Sequence, residues 1–256
     1  MDATEILVAR HGEAWCNREQ YVGGPRSCRG LTPRGCTQTG MLAERLAAEH
    51  ASRPIDVVYT TPLPRARETA DLVAAALGLA PVVEPDLREP DYGTADGLPW
   101  AKVVADFGDA PALHPTRAVA PGAETWAAFL ARARAALRQI VTRHEGRRVL
   151  IVAHGETIAA AHHLFLGVPD GQVLPLAFVC HPTALSRWQQ VPVSWTRPEL
   201  GRRWALEAHN DIRHLDDCFH VGPRASPAGS SSPRLGREDK EQDRVVKNLG
   251  RVASGS

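Results

Sequence analysis

Two tripeptides of similar chemistry stand far apart in the chain, Arg10-His11-Gly12 and Ala153-His154-Gly155. A neutral histidine keeps a ring-nitrogen lone pair and can act as a nucleophile. Arginine offers a planar fork of donors that fits two phosphate oxygens at once. The glycine after each histidine lets backbone approach a ligand closely, and the residues beyond it can present amides to an anion as a helix start does. That combination suits phosphoryl chemistry. Alone, Arg10-His11-Gly12 reads better as a strand-end histidine bonded to a carbonyl, with Arg10 in an ordinary ion pair. The second copy alters the balance, because a sheet joining the two strand ends gives one anion two sets of donors. Arg65, at the start of a helix, can reach back over the same edge, whereas Arg67 two residues along faces away.

The elements that must position these residues follow from pattern. Each histidine closes a short apolar run, Ile6 to Ala9 and Val149 to Ala153, too short for an amphipathic helix and typical of a buried strand. Open α/β sheets place ligands at the carboxyl ends of such strands. Asn17 to Leu31 is a loop rich in Gly, Pro and Ser. Thr32-Pro33 then opens a helix to about His50, a capping hydroxyl followed by proline at the first helical position. Ile55 to Tyr59 reads as a strand, Leu63 to Leu77 as a helix stopped by Gly78, and Val82-Val83 as a short edge strand. Residues 86–122 form an irregular excursion with one short helix near Trp100; long insertions of this kind are usually functional, and this one is expected to cover the strand ends. Glu124 to about Thr142 is the clearest helix, and a shorter one runs from about Glu156 to Leu166. Two further strands are expected at Ala184 to Trp188 and Arg203 to Leu206. From residue 216 Ser, Gly, Pro and charged residues dominate, and such a segment cannot offset its ordering entropy. The expectation is one domain over residues 1–215 and a disordered tail over 216–256.

Composition narrows the function classes. With 256 residues, 43% of them hydrophobic, the chain can bury a full core. A net charge of +1 leaves no footprint for nucleic acid or an acidic membrane surface, and no apolar run approaches a membrane span. The acidic start, Met1 to Glu5, runs straight into a strand, so no signal peptide is expected. Five cysteines without a CxxC pair fit reduced thiols and a cytoplasmic setting. Cys16, Cys28 and Cys36 match no common zinc spacing and no HExxH occurs, so neither a metal nor a cofactor is expected. Cys16 reads as a spectator thiol, His162-His163 and the other scattered histidines as surface or satisfied core groups, and Trp188, Trp195 and Trp204 as packing.

The motifs also carry a family resemblance. Arg10-His11-Gly12-Glu13, Asn17, Thr61-Pro62-Leu63-Pro64-Arg65-Ala66-Arg67-Glu68-Thr69-Ala70, Leu87-Arg88-Glu89, Asp91-Tyr92-Gly93 and Val152-Ala153-His154-Gly155 resemble, in order and spacing, the histidine phosphatase superfamily, also called phosphoglycerate mutase-like. The resemblance implies a three-layer α/β/α sandwich with a mostly parallel central sheet and a phosphohistidine intermediate. Carried over, His11 resembles the nucleophile and Glu89 the proton donor. Arg10, Arg65 and His154 resemble the phosphate pocket, with Asn17 a further polar contact. In physical terms the two arginines and His154 would supply the charge that Mg²⁺ supplies in kinases. Glu89 would need a raised pKa, which burial under the excursion could provide.

Departures from the pattern bear on substrate. The family's mutases have a basic residue after the acid and an Arg pair in the following insertion; here Pro90 follows Glu89 and the excursion beyond it holds a single arginine, Arg117. Val22 stands where the mutases carry a hydroxyl, and Glu156 where they carry Asn. The Glu-x-Asp-Tyr-Gly string resembles the phosphatase branch, although Ala95 replaces its usual aromatic residue. The reading is a metal-independent phosphomonoester hydrolase acting on a small phosphorylated metabolite. A phosphoglycerate mutase and a non-catalytic phospho-ligand binding module are the alternatives. Asp91 and Asp96 read as solvated loop charges, Glu13 and Glu156 as incidental to the chemistry. Neither loop carries a recognisable specificity code, and nothing in the sequence sets an oligomeric state.

Overall fold

Alternation governs strand β1 (Glu5–Arg10): Ile6 and Val8 join one apolar cluster, Leu7 and Ala9 another, and all four are fully buried. A strand buried on both faces belongs at the centre of a layered α/β structure. The computed structural model describes residues 3–108, 113–169, 172, 174 and 176–215; the expected tail lies outside them. After β1 come α1 (Trp15–Arg18), α2 (Pro33–Ser52), β2 (Val57–Thr60), α3 (Pro64–Ala76), β3 (Pro81–Val83), α4 (Trp100–Phe107), α5 (Trp126–Arg143), β4 (Arg148–Ala153), α6 (Gly155–Phe165), β5 (Leu185–Pro192) and β6 (Arg202–Asp211). The sheet order is β3-β2-β4-β1-β5-β6. The first four of these strands pair in parallel, while β5 and β6 are antiparallel additions at one side.

Helices α2 and α3 cover one face, where Leu42, Leu46, Ala70 and Val73 pack on Leu7, Leu150 and Val152. Helices α5 and α6 cover the other, with Phe129, Leu137, Ile140 and Ile158 on Ile6, Val8 and Ile151. The three layers match the expected sandwich. Local signals hold as well: Thr32 Oγ1 accepts from Gly35 N at 3.0 Å with Pro33 behind it, and Gly78 takes a positive φ of 67° where α3 ends.

The 86–122 excursion forms a small core of its own with the 17–31 loop. Val22, Tyr92, Ala95 and Val103 are buried together, and Val22 exchanges backbone hydrogen bonds with Leu98 and Gly97, each 2.9 Å. Asp96 corrects the sequence reading. Its side chain is only 1% exposed, accepts from the backbone N–H of Gly24 and Arg26 at 2.9 Å, and takes the Ser27 hydroxyl as well. It is a staple between loop and excursion. Asp91 is exposed, as expected, and only caps Gly93 N.

At the opposite, amino-terminal edge of the sheet, Glu5 is fully buried and bonds Arg148, Arg187 and Arg53 at 2.7–2.9 Å. Trp188 is core and Trp204 packs against it, but Trp195, between β5 and β6, stands 93% exposed and does no packing. No described helix is long and apolar enough to cross a membrane.

Candidate active site

Pairing between β1 and β4 sets Arg10 opposite Ala153, so the next residue on each strand, His11 and His154, lie side by side. Their rings meet edge to face with centroids 5.3 Å apart, and both residues are buried. Gly12 is needed where β1 turns out of the sheet. A Cβ there would lie 2.6 Å from Gly35 O and 2.7 Å from Thr39 Oγ1, so the first turns of α2 pack directly on the turn that carries His11.

The His11 ring is fixed in one tautomer. Its Nδ1 lies 2.6 Å from Gly12 O, an acceptor only, so Nδ1 carries the proton and Nε2 the lone pair. That lone pair accepts from Arg65 Nε at 3.0 Å. Burial, then the charges of Arg65 and Arg10, hold the His11 pKa well below its ordinary 6.5, so the ring is neutral at pH 7. His154 is the N-cap of α6. Its Nε2 bonds Thr61 Oγ1 at 2.8 Å, and its buried Nδ1 lacks a hydrogen-bond partner. Burial, then Arg65, His11 and Arg10, lower its pKa likewise.

Arg65, in the first turn of α3, is 1% exposed and spans the site. Besides His11 it donates Nη1 to Gly23 O at 2.7 Å and Nη2 to Glu89 Oε2 at 2.8 Å; Cys28 Sγ lies 3.3 Å from Nη1. Arg67 is exposed, as expected. Arg10 donates Nη1 to Cys180 O, and its buried Nε has no partner. The other oxygen of Glu89 stands 3.5 Å from His154 Nδ1. Burial foremost raises the Glu89 pKa far above the usual carboxylate range; Arg65 opposes that shift and Glu156 adds to it. Thus five predicted residues, Arg10, His11, Arg65, Glu89 and His154, come together. For the sixth, Asn17, the structure records Oδ1 accepting from Ala14 N at 3.0 Å, which closes the single turn of α1.

Four residues of the site escape sequence reasoning. Thr61 orients His154; it opens a motif already singled out in the sequence, but no role is read from it there. Arg132 donates to the carbonyls of Asp86, Arg88 and Glu89 and pairs with Glu124 at 2.6 Å, fixing the segment that presents Glu89. Tyr92 is buried beside Glu89 and Glu156, its phenol kept neutral by burial. Glu156, read from sequence as incidental, is a carboxyl neighbour that adds to the raised pKa of Glu89. Its signal was position, in the first turn after a pocket histidine. The other echo residue, Glu13, accepts from Thr32 Oγ1 at 2.7 Å outside the pocket. Cys16 is buried and its thiol pKa is raised by that burial, which fits a spectator.

His11, Glu89 and His154 offer ligand atoms within 4.8 Å of one another. That space already holds a cation, because Arg65 bonds both His11 Nε2 and Glu89 Oε2. A divalent ion would have to displace it while facing Arg10, so the donor set suits an anion between two guanidinium groups rather than a metal. Cys16, Cys28 and Cys36 are free thiols, with Cys36 exposed.

The profile of the histidine phosphatase superfamily (branch 1) matches residues 6–198. Among curated proteins, phosphoglycerate mutase-like protein 4 of Arabidopsis thaliana is 29% identical over 224 residues, covering 85% of this chain and 89% of that protein. The metal-independent phosphoserine phosphatase of Arabidopsis thaliana is 32% identical over 166 residues, covering 63% of this chain and 68% of its own length. Among solved structures, the mycobacterial glucosyl-3-phosphoglycerate phosphatase in complex with VO3 superimposes with a TM-score of 0.65 at 26% identity, covering 80% of this chain and 98% of that one.

Proposed function

The chain belongs to the histidine phosphatase superfamily, and from that premise we propose that it is a metal-independent phosphomonoester hydrolase working through a phosphohistidine at His11. The observation that carries the reading is the buried, neutral His11 ring, whose Nδ1 proton is held by Gly12 O and whose Nε2 lone pair faces Arg65.

In the free protein Glu89 occupies Arg65 Nη2. A phosphate dianion takes that guanidinium, the unpartnered Nε of Arg10 and the free Nδ1–H of His154, with Thr61 donating to the other ring nitrogen. Displaced from Arg65, Glu89 loses the charge that most favours its ionised form. Substrate binding therefore protonates its own leaving-group acid. His11 Nε2 then attacks phosphorus, the ester P–O bond breaks, and the departing oxygen takes the Glu89 proton. In the second half water gives a proton to the Glu89 carboxylate and attacks phosphorus. The P–N bond breaks and its electron pair returns to Nε2.

Hydrolysis is preferred to mutase chemistry. Arg117, the arginine of the excursion beyond Glu89, lies over the Phe107 ring at 4.0 Å. Substrate is a small phosphoester, as in the relatives named for phosphoserine and glucosyl-3-phosphoglycerate. The test is hydrolysis of an aryl phosphate with and without a chelator: activity that survives chelation and is abolished by His11→Ala supports the reading. Activity lost to chelator and kept by His11→Ala overturns it.

A further inference from the structure

A short segment just before β5, residues 180–184, grips the turn that carries His11. The Cys180 carbonyl accepts from Arg10 Nη1. The Ala184 carbonyl accepts from Arg10 N at 3.1 Å, and Thr183 N donates to His11 O at 3.2 Å. Thr183 takes a φ of 59°, unusual for a β-branched residue, and such a conformation persists only where its surroundings enforce it. Two side chains from the end of β6 and the turn after it brace the segment. His214 Nε2 lies 3.0 Å from Thr183 Oγ1. Asn210, itself at a φ of 55°, accepts the His181 N–H on Oδ1 at 2.8 Å and donates from Nδ2 to the His181 ring Nδ1 at 2.8 Å. The His181 N–H and the Cys180 C=O belong to one planar peptide group and point opposite ways. By holding the N–H, Asn210 aims the carbonyl at Arg10.

We propose that Asn210 is a positioning residue for phosphate binding, which acts through the Cys180–His181 peptide to fix the Arg10 guanidinium with its Nε towards the phosphate. The inference rests on the role given to Arg10 in the phosphohydrolase reading above. A guanidinium is planar and rigid, so tying Nη1 to one carbonyl sets the direction in which Nε points. That Nε is buried and has no partner. It lies beside the start of α6, where a Cβ on Gly155 would be 4.0 Å away. Released from the carbonyl, the long side chain has to be ordered anew by each phosphate that binds, which costs roughly threefold to tenfold in affinity. The acceptor is backbone, so no replacement of the Cys180 side chain removes it. Asn210 is the group through which the contact can be tested.

The experiment is calorimetric titration of the full-length protein with inorganic phosphate in a double-mutant cycle. Asn210→Ala should weaken binding at least about threefold when Arg10 is present, and by less than about 1.5-fold in an Arg10→Ala background. Asn210→Asp keeps an acceptor for the His181 N–H and tolerates a positive φ, and should bind within about twofold of wild type. Asn210→Gly keeps the backbone freedom without the amide and should match Asn210→Ala. Equal losses in both Arg10 backgrounds, which general loosening of the fold would give, overturn the inference. Wild-type affinity in Asn210→Ala overturns it as well. A coupled cycle in a protein that hydrolyses no phosphoester upholds the inference and overturns the phosphohydrolase reading. Phosphate that fails to bind the wild type, or binds Arg10→Ala equally well, overturns the inference together with the role given to Arg10.

Discussion

Replacing Glu89 with glutamine keeps the size of the side chain and its place beside Arg65 Nη2, 2.8 Å away, but removes the dissociable proton. An alkyl ester expels a strongly basic alkoxide and needs that proton; a nitrophenyl ester expels a weak base and does not. General acid catalysis contributes roughly 10²–10⁴-fold, or about 3–5 kcal/mol of transition-state stabilisation. Glu89→Gln should therefore lower kcat/KM for an alkyl phosphate by that factor and for a nitrophenyl phosphate by less than about tenfold. Because kcat/KM reports only steps up to departure of the alcohol, slow breakdown of the phosphohistidine does not enter it. A second consequence follows from the Arg65–Glu89 ion pair. A neutral amide competes less for the guanidinium, so inorganic phosphate should bind the variant more tightly. The assay is a leaving-group series on wild type and variant. Equal losses across the series would refute the role given to Glu89.

Other expectations concern the scaffold. His162 accepts from Trp188 Nε1 at 3.2 Å and lies 3.0 Å from the His209 ring. Burial pushes its pKa down to about 3. The unfolded chain binds this proton below its ordinary 6.5 and the native chain does not, so stability falls as pH drops from 6.5 towards 3, with His162 alone worth about 2 kcal/mol at pH 5. Thermal melts from pH 7 to 5 should show Tm falling, and a flat profile would contradict the assignment. Asp96→Ala removes the acceptor of two backbone amides and the Ser27 hydroxyl. It should cost about 2 kcal/mol, ~4–8 °C in Tm, and speed hydrogen exchange across Gly24 to Ser27; unchanged exchange would contradict the staple.

Much of this fold was legible because its signals are local. Alternation in Ile6 to Ala9, the Thr32-Pro33 cap and the Gly78 stop depend on neighbours in the chain, and the elements they mark sit where expected. The paired histidines were legible for the same reason, since each closes its own strand. What the sequence hid depends on contacts across long separations. Glu5 looks like the last residue of an acidic chain start until Arg148 and Arg187 surround it. Asp96 looks like a loop charge until the 17–31 loop folds over it. Glu156 looks incidental because the symmetry with Glu13 is only in sequence: one carboxylate faces α2, the other Glu89.

The central claim is that His11 Nε2 takes the phosphoryl group. Rapid acid-free quenching of the protein with a phosphoester, followed by peptide mass spectrometry, tests it directly. The account predicts an acid-labile, base-stable phosphate on the peptide that carries His11, present in Glu89→Gln with an aryl ester and absent in His11→Ala. Phosphate on His154 instead, or turnover with no phosphorylated histidine in any variant, would contradict it.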